Sequence, residues 1–598
     1  MKVRSFASVL LLAVGTPVLA AAPPKPDPSP SFGETLEVNV VNVDVYVTGA
    51  DGRRIGGLKA GDFTLLEDGK PVQVTNFEAF ERAARIPESD APAAGTAPAA
   101  VPPPSSPAAA PDPENQLSLV IFLDNLHLRP EHRAHAVEQI RAFLARNSRP
   151  GDRVLLATND VDLRNRLPFT DDRAALDAAL HAAESLPTFG VQADQDRRTA
   201  YASMMSEYKI WGCSQEMVQP VLSYAAQAQA EALRTIGALK LTINSLAGIP
   251  GRKALLYVSD GLSITPGEEL FEAISTICTG KAALQGVPVQ TPFERVPVGA
   301  GNGTPYEAQQ AALDAQKYSV ADRLADLTAH ANSNRVTFYP LQASGIQGGV
   351  ATDASFDASE RILQTHDIQQ IQTTNLRGSL TALASDTGGR AILDANDLTP
   401  ELARMQEDFD TYYSLGYTPT HRGDAKMHKV EVKVKRSGLR VRYRQSYRDK
   451  PALEKVFDRT LAALYHGMED NPLGITVEIG APISGERGQV SVPVSLRIPL
   501  FKLAILNQQS SYQGKLRVLV TTRDEEGHAS AMRQVEVPLN IPRKEVLNAM
   551  GQFYVYTLTL QVKPGPQHVA VAVRDEIAAT TSYLSRPLNV AAPPAVAR

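Results

Sequence analysis

Leu117-Ser118-Leu119-Val120-Ile121-Phe122-Leu123-Asp124-Asn125-Leu126-His127-Leu128 is the stretch on which the fold turns. Its first seven residues form an almost unbroken apolar run that stops at a carboxylate. A strand with one wet face alternates apolar and polar residues, whereas a run without a polar face needs cover on both sides, as a central parallel strand has. The sequence downstream agrees. Pro130 suits a first helical turn, and Val137, Ile140, Phe143 and Leu144 recur at helical spacing until Arg149-Pro150-Gly151. Val154-Leu155-Leu156-Ala157 reads as the next strand, with a hairpin partner ending Leu167-Pro168-Phe169 and a helix over about 172–185. A long helix from about 220 leads to Ala254-Leu255-Leu256-Tyr257-Val258, which ends at Ser259-Asp260-Gly261. Helices over 322–332 and 376–385 then alternate with strands at Val336-Thr337-Phe338-Tyr339 and Arg390-Ala391-Ile392-Leu393.

This alternation predicts an α/β domain over 117–410, a doubly wound, mostly parallel sheet with helices on both faces. Such sheets hold ligands outside the carboxyl ends of their strands, so Asp124, Asn125 and Asp260 are the candidate binding residues, at the top edge of the sheet. Residues 187–219 and 264–307, rich in Gly, Pro and Thr, read as long loops at that edge.

The flanks read differently. Residues 35–82 alternate as in Val38-Asn39-Val40-Val41-Asn42-Val43-Asp44-Val45, with turns at Asp51-Gly52 and Asp68-Gly69, and predict a small β module. A Pro-rich spacer (21–34) precedes it, and an Ala/Pro-rich linker (83–116) without large apolar residues follows. After the α/β domain, Val430-Glu431-Val432-Lys433-Val434-Lys435 and Leu439-Arg440-Val441-Arg442-Tyr443-Arg444 flank Ser437-Gly438 and predict a β-hairpin extension over 411–450 with one basic face. We read that face as a solvated surface in preference to a seat for an anionic polymer. A helical connector is expected over 451–474, and repeated short strands over 475–591 predict a β-sandwich.

Across 598 residues, 43% hydrophobic and 21% charged content fits several globular modules and excludes a disordered acidic chain. The net charge of -5 gives no general attraction for nucleic acid. Lys2 and Arg4 before an apolar run ending Val18-Leu19-Ala20 predict a secretory signal over 1–20, hence an exported protein, periplasmic or extracellular. No later run approaches the twenty or so apolar residues of a membrane span. Export permits a disulfide between Cys213 and Cys278, the two cysteines, which fall in the two long loops expected at one sheet edge.

The order of these motifs carries a resemblance. The strand ending Phe122-Leu123-Asp124-Asn125-Leu126-His127-Leu128, the later Tyr257-Val258-Ser259-Asp260-Gly261, the preceding Gly61-Asp62-Phe63-Thr64-Leu65-Leu66-Glu67-Asp68-Gly69 and the following Asp410-Thr411-Tyr412-Tyr413-Ser414-Leu415-Gly416-Tyr417 resemble the secreted bacterial proteins related to von Willebrand factor A (VWFA) domains. The family implies an adhesion site in which a D-x-S-x-S loop, a threonine and a second aspartate hold Mg²⁺. Asp124 and Asp260 match the aspartates, but Leu126 and Leu128 stand at the serine positions, and Thr188 and Thr199 are what the long loop offers for the threonine. The resemblance therefore implies a degenerate metal-ion-dependent adhesion site. No cofactor is expected, and Asp124 and Asp260 are at most residual ligands for a weakly held divalent cation.

No G-x-S-x-G elbow, H-E-x-x-H helix or Walker loop occurs, so no catalytic residue is nominated. His127, His132 and His135 are read as a solvated helix face. The expectation is a metal-independent, adhesion-type protein-binding protein, not an enzyme, whose unidentified partner lies in the cell envelope or outside it. The alternative is a cell-envelope enzyme or assembly factor that uses the α/β domain as scaffold.

Overall fold

The computed structural model describes residues 40–81, 116–147, 151–279, 306–346, 363, 365–421, 423–484, 490–525 and 527–590, all within one compact unit. The expected signal, spacer and all but Gln116 of the linker lie outside the described residues.

The chain is mixed α/β. Its first strands are β1 (Val41–Thr48), β2 (Phe63–Glu67), β3 (Lys70–Val72) and β4 (Asn76–Glu81). Then come β5 (Leu117–Leu123), α1 (Pro130–Asn147), β6 (Arg153–Asn159), β7 (Leu163–Thr170), α2 (Arg173–Ala183), α3 (Gly190–Trp211) and α4 (Gln215–Leu246). They are followed by β8 (Arg252–Ser259), α5 (Glu268–Cys278), α6 (Ala308–Gln316), α7 (Ala321–Ser333), β9 (Val336–Gln342), α8 (His366–Thr387) and α9 (Thr399–Asp410).

The central sheet has the order β7-β6-β5-β8-β9. Val120 is paired in parallel with Leu155 on one side and Leu255 on the other, Leu255 with Phe338, and only the edge strand β7 runs antiparallel. Every residue of β5 is buried because both faces are covered. Leu119, Ile121 and Leu123 pack with Val137, Ile140, Leu180 and Leu402, while Val120 and Phe122 pack with Ile236, Leu239, Leu327 and Leu380. The alternation of a strand thus feeds two apolar layers, which is why the sequence shows no polar face.

Three expectations are corrected. Of the loops expected over 264–307 and 187–219, the first contains α5 and the second is mostly α3. Its buried side is Arg197, Ala200, Tyr201, Met204 and Tyr208, at helical spacing but too small or polar in part to show as an apolar stripe. Residues 390–393 make a single bridge, Leu341 to Ile392, and no strand. The predicted hairpin does not form. Of β10 (Thr411–Tyr417), β11 (Met427–Val434), β12 (Arg440–Tyr443) and β13 (Ser446–Arg448), β11 pairs with β2 and β13, and β12 with β1.

The segments on either side of the α/β domain therefore interleave as two four-stranded sheets, β12-β1-β10-β4 and β13-β11-β2-β3. Val43, Val45, Phe63, Leu65, Leu415, Val430 and Val432 fill the space between them. Two alternating segments some 370 residues apart in sequence each lack a partner for their apolar face, and meeting supplies it.

The connector is α10 (Ala452–His466). Val456 and Leu464 pack on Leu519, Ala570 and Ala572 of the last domain, and Ala462 faces the α/β core. Gly248 permits its close approach, since a Cβ there would overlap the Arg459 backbone. Beyond it, β14 (Thr476–Ile479) and β15 (Ile483–Ser484) pair with β16 (Val490–Pro499), which pairs with β20 (Phe553–Val562). The second sheet is built on β18 (Ser511–Asp524), and the core shared by the two sheets includes Val492, Val494, Val518, Val571 and Leu584.

Candidate functional site

Asp124 follows β5 and Asp260 follows β8, adjacent strands, so both stand at the carboxyl edge of the sheet. Asp124 is fully buried. Its Oδ1 accepts from Asn159 Nδ2 at 3.0 Å and Thr235 Oγ1 at 3.4 Å. Its Oδ2 accepts from Tyr257 OH at 2.6 Å, His127 Nδ1 at 2.8 Å and Ser259 Oγ at 3.3 Å. Leu128 is wholly buried and Leu126 nearly so, in the positions that serine hydroxyls take in the resembled motif. The threonine beside Asp124 is Thr235, from the middle of α4, a residue that the sequence reading missed because it carries no local motif.

This donor set does not fit a hard cation. A divalent ion needs converging lone pairs, whereas the groups around Asp124 present N–H and O–H hydrogens to a carboxylate. His127 takes one of the carboxylate oxygens instead, and is a positive partner when protonated. Burial disfavours charge on both members, but for each the other outweighs it: the imidazole is raised above its ordinary 6.5 and the carboxyl held below its ordinary 3.8.

Asn125 is also fully buried, donating to Asp160 Oδ1 at 2.5 Å and accepting from Arg133 Nη1 at 3.2 Å. Its carbonyl accepts from Phe189 N at 2.8 Å, and Gly190 N donates to Leu128 O at 3.1 Å. A Cβ at 190 would lie 2.7 Å from that carbonyl, so glycine lets α3 begin directly against the Asp124 loop. Asp124 and Asn125 thus form the foundation of the edge, where a ligand-facing role had been expected of them. Asp260 alone of the three lines the open cleft. Its Oδ2 accepts from Arg129 N at 3.0 Å and His132 Nδ1 at 2.9 Å, and that hydrogen bond raises the His132 imidazole above 6.5, against burial.

The cleft holds about 450 Å³ between α3, α4 and the loops after β5, β8 and β9. Arg129, His132, Asp194, Asp196, Gln227 and Glu231 give it a mixed polar wall, with Glu269 buried behind. Burial raises the Glu269 carboxyl above 4.5, with Arg197 opposing. The three histidines of the first helix region part company: His127 goes to Asp124, His132 to Asp260, and His135 to the Asn396 carbonyl at 2.7 Å. Two of them therefore belong to the site and do not form a solvated face. Cys213, at the α3–α4 turn, is bonded to Cys278, the last residue of α5, and the bridge ties together two elements of the cleft region.

Among the described residues, potential metal ligands cluster elsewhere, at Glu67, His421 and His428 and at His421, Asp424 and Asp449. The two imidazoles stack at 3.8 Å and 8°, so their in-plane lone pairs run parallel and do not converge on one ion. Each of their ring nitrogens lies 2.9 to 3.3 Å from a carboxylate oxygen, of Glu67, Asp449, Asp68 or Asp424. The arrangement suits protons between rings and carboxylates.

No family model matches the sequence, and no curated protein matches it. Solved structures give slight similarities. The Northeast Structural Genomics Consortium target SoR45 is 16% identical over 22% of this chain and 93% of its own, with a TM-score of 0.15. The vWF domain of the type V pili tip protein Mfa5 from Porphyromonas gingivalis is 14% identical over 49% of this chain and 92% of its own, with a TM-score of 0.19. Three N-terminal domains of the same pili tip protein are 11% identical over 80% and 71%, with a TM-score of 0.20. Superpositions this slight carry neither fold nor function to the present chain.

Proposed function

We propose that this is an exported interaction protein whose α/β domain, of doubly wound VWFA type with a degenerate adhesion site, seats a protein partner in the carboxyl-edge cleft without a metal ion. The observation that carries the reading is the saturation of Asp124: both oxygens of the buried carboxylate accept hydrogen bonds from side chains, with His127 among the donors. The cleft supplies a concave surface with hydrogen-bonding groups of both signs, suited to a polar segment of a partner. The Cys213–Cys278 bond supports an oxidising compartment, and none of the described helices is long and apolar enough to cross a membrane.

Cross-linking in the native envelope with a chelator present tests this. A captured partner should be retained in the chelator and lost on Asp196→Ala with Gln227→Ala, two cleft-wall substitutions away from the core. Capture that requires a divalent ion, or that survives both substitutions, refutes the reading. A second reading is favoured by the two Asp–His pairs, which hold imidazoles at the cleft as general bases are held. It predicts an activity on a hydrolase substrate panel that His132→Gln removes.

A further inference from the structure

A strand at the edge of a sheet carries a row of unpaired N–H and C=O groups, and folded proteins blunt such rows with charge, proline or cover. Among the described residues, the last domain has three edge strands of ten residues each, β19 (Arg533–Pro542), β20 and β22 (Thr581–Val590). Two are guarded. β19 carries Arg533, Glu536, Pro538 and Pro542. β22 carries Arg586 and Pro587, and on the side away from its sheet Tyr583 exchanges backbone hydrogen bonds with Asp470 at 2.7 and 3.1 Å. The third, Phe553-Tyr554-Val555-Tyr556-Thr557-Leu558-Thr559-Leu560-Gln561-Val562, has neither charge nor proline, and among the described strands it pairs with β16 alone.

The register shows which backbone groups of β20 face outward. Pro493 and Pro499, which have no N–H, stand opposite Thr559 and Phe553, and Pro493 O accepts from Gly480 N at 2.8 Å, on the β14 side of β16. At the strand's start, Gln552 O instead accepts from Leu500 N at 3.2 Å, on the β16 side. Because antiparallel pairs alternate, Phe553, Val555, Thr557, Thr559 and Gln561 turn their N–H and C=O groups away from β16. The side chains agree that cover is missing here. On the outer face Phe553 and Val555 are 48% and 54% exposed. On the core side Tyr554, Tyr556 and Leu558 are only half-buried, whereas their neighbours on β16, Ile498, Leu496 and Val494, are fully buried.

We propose that β20 is a dimerisation edge, at which a second copy of this chain adds its own β20 antiparallel about a two-fold axis through Thr557. The five outward residues are symmetric about Thr557, so Val555 would stand opposite Thr559 and Phe553 opposite Gln561. On the core side Tyr556 of one protomer would then meet Leu558 of its partner, and Tyr554 would meet Leu560, which covers the half-buried side chains with apolar cross-strand neighbours. The pairing supplies about ten main-chain hydrogen bonds, as many as a typical specific interface carries. A second copy fits better than an unrelated strand because a two-fold sets a strand against itself. Charges near the axis would meet their own kind and prolines would lack donors, and β20 is the edge of the three that has neither. The pairing uses up the edge on both protomers, so it closes at two.

Sedimentation velocity of the mature protein across the micromolar range tests this, with thermal melts to show that each variant is folded. A reversible monomer–dimer equilibrium is expected. Thr557 is exposed, so Thr557→Lys should leave the fold intact while setting two ammonium groups opposite each other at the axis, and should weaken dimerisation about fivefold or more. Thr557→Glu should do the same, and an equimolar mixture of the two variants should regain the dimer, since opposite charges then meet. Thr557→Pro removes an outward donor from each protomer without touching the ladder to β16 and should weaken dimerisation about tenfold or more. Val535→Lys, at an exposed position of the guarded β19, should leave the dimer unchanged. A monomer throughout the range, a dimer indifferent to the Thr557 substitutions, or Lys and Glu variants that fail to complement each other overturns the proposal.

Discussion

His127 Nδ1 lies 2.8 Å from Asp124 Oδ2, three residues away along the loop that follows the central strand. The imidazole thereby takes up one of the two oxygens with which the carboxylate would hold a cation. The edge of the sheet is organised by a proton held between two side chains, and this relationship fixes how it should respond to pH and substitution.

The His127 imidazole is raised above 6.5, so its contribution to stability is complete below that pH and is lost as pH rises through its folded value. Asp124 is held below 3.8, so its contribution is present above 3.8 and is lost as pH falls through its folded value. The pair should therefore stabilise most between those limits. By NMR titration, His127 should titrate above 6.5, and in Asp124→Asn its midpoint should fall, because burial is then opposed by Glu231 and Asp260 without Asp124. An unchanged midpoint in that variant would show the pairing to be absent in solution.

Restoring the serines of the resembled motif should not restore a metal site. Leu128 is fully buried, so Leu126→Ser with Leu128→Ser should destabilise by about 2–5 kcal/mol or more through lost packing. Urea unfolding should show the lower midpoint, and Mg²⁺ should not recover it. Recovery by millimolar Mg²⁺ would mean that the hydroxyls had completed a site.

Reduction of the Cys213–Cys278 bond, or Cys213→Ser with Cys278→Ser, should release a loop closed over 65 residues. The chain-entropy account gives a loss of about 4 kcal/mol. Proteolysis should then cut first near the α3–α4 turn, and an unchanged cleavage pattern would show that the bond does not hold this region.

Asp408 joins the α/β domain to the two-sheet domain. Its carboxylate is buried and receives Arg442 Nη2 at 2.8 and 2.7 Å, with Arg54 also paired to it. Asp408→Ala leaves two guanidinium groups without their acid and should cost about 3–5 kcal/mol. Hydrogen exchange should report faster opening of β1 and β12 together, since both belong to the interleaved sheet. Exchange confined to α9 would instead mean that the domains are independent.

How much of this was legible differs by element. The β5 run could be read because seven successive buried residues leave only one arrangement, cover on both faces, and its two flanking parallel strands carry the same pattern. The α3 helix could not, because its buried face uses Arg197, Ala200 and Tyr201 where leucines would have marked a stripe. The strands β11 and β12 looked like hairpin partners since a Ser437-Gly438 turn lies between them. Their true partners are β2 and β1, and sequence proximity says nothing about pairing across more than 360 residues. Asp124 and Asp260 were visible as strand-end carboxylates, but their separate roles were not. Thr235, Tyr257 and Asn159 converge on Asp124 from three different elements, and only the fold brings those donors to one carboxylate.

The most direct measurement is calorimetric titration of the mature protein with Mg²⁺, Mn²⁺ and Ca²⁺, run beside Asp124→Asn shown to be folded. The account predicts that the two proteins give the same isotherms, with no saturable site that depends on Asp124, because its oxygens already accept five side-chain hydrogen bonds. A micromolar site present in the parent protein and lost in Asp124→Asn would contradict it and return the edge to metal-dependent adhesion.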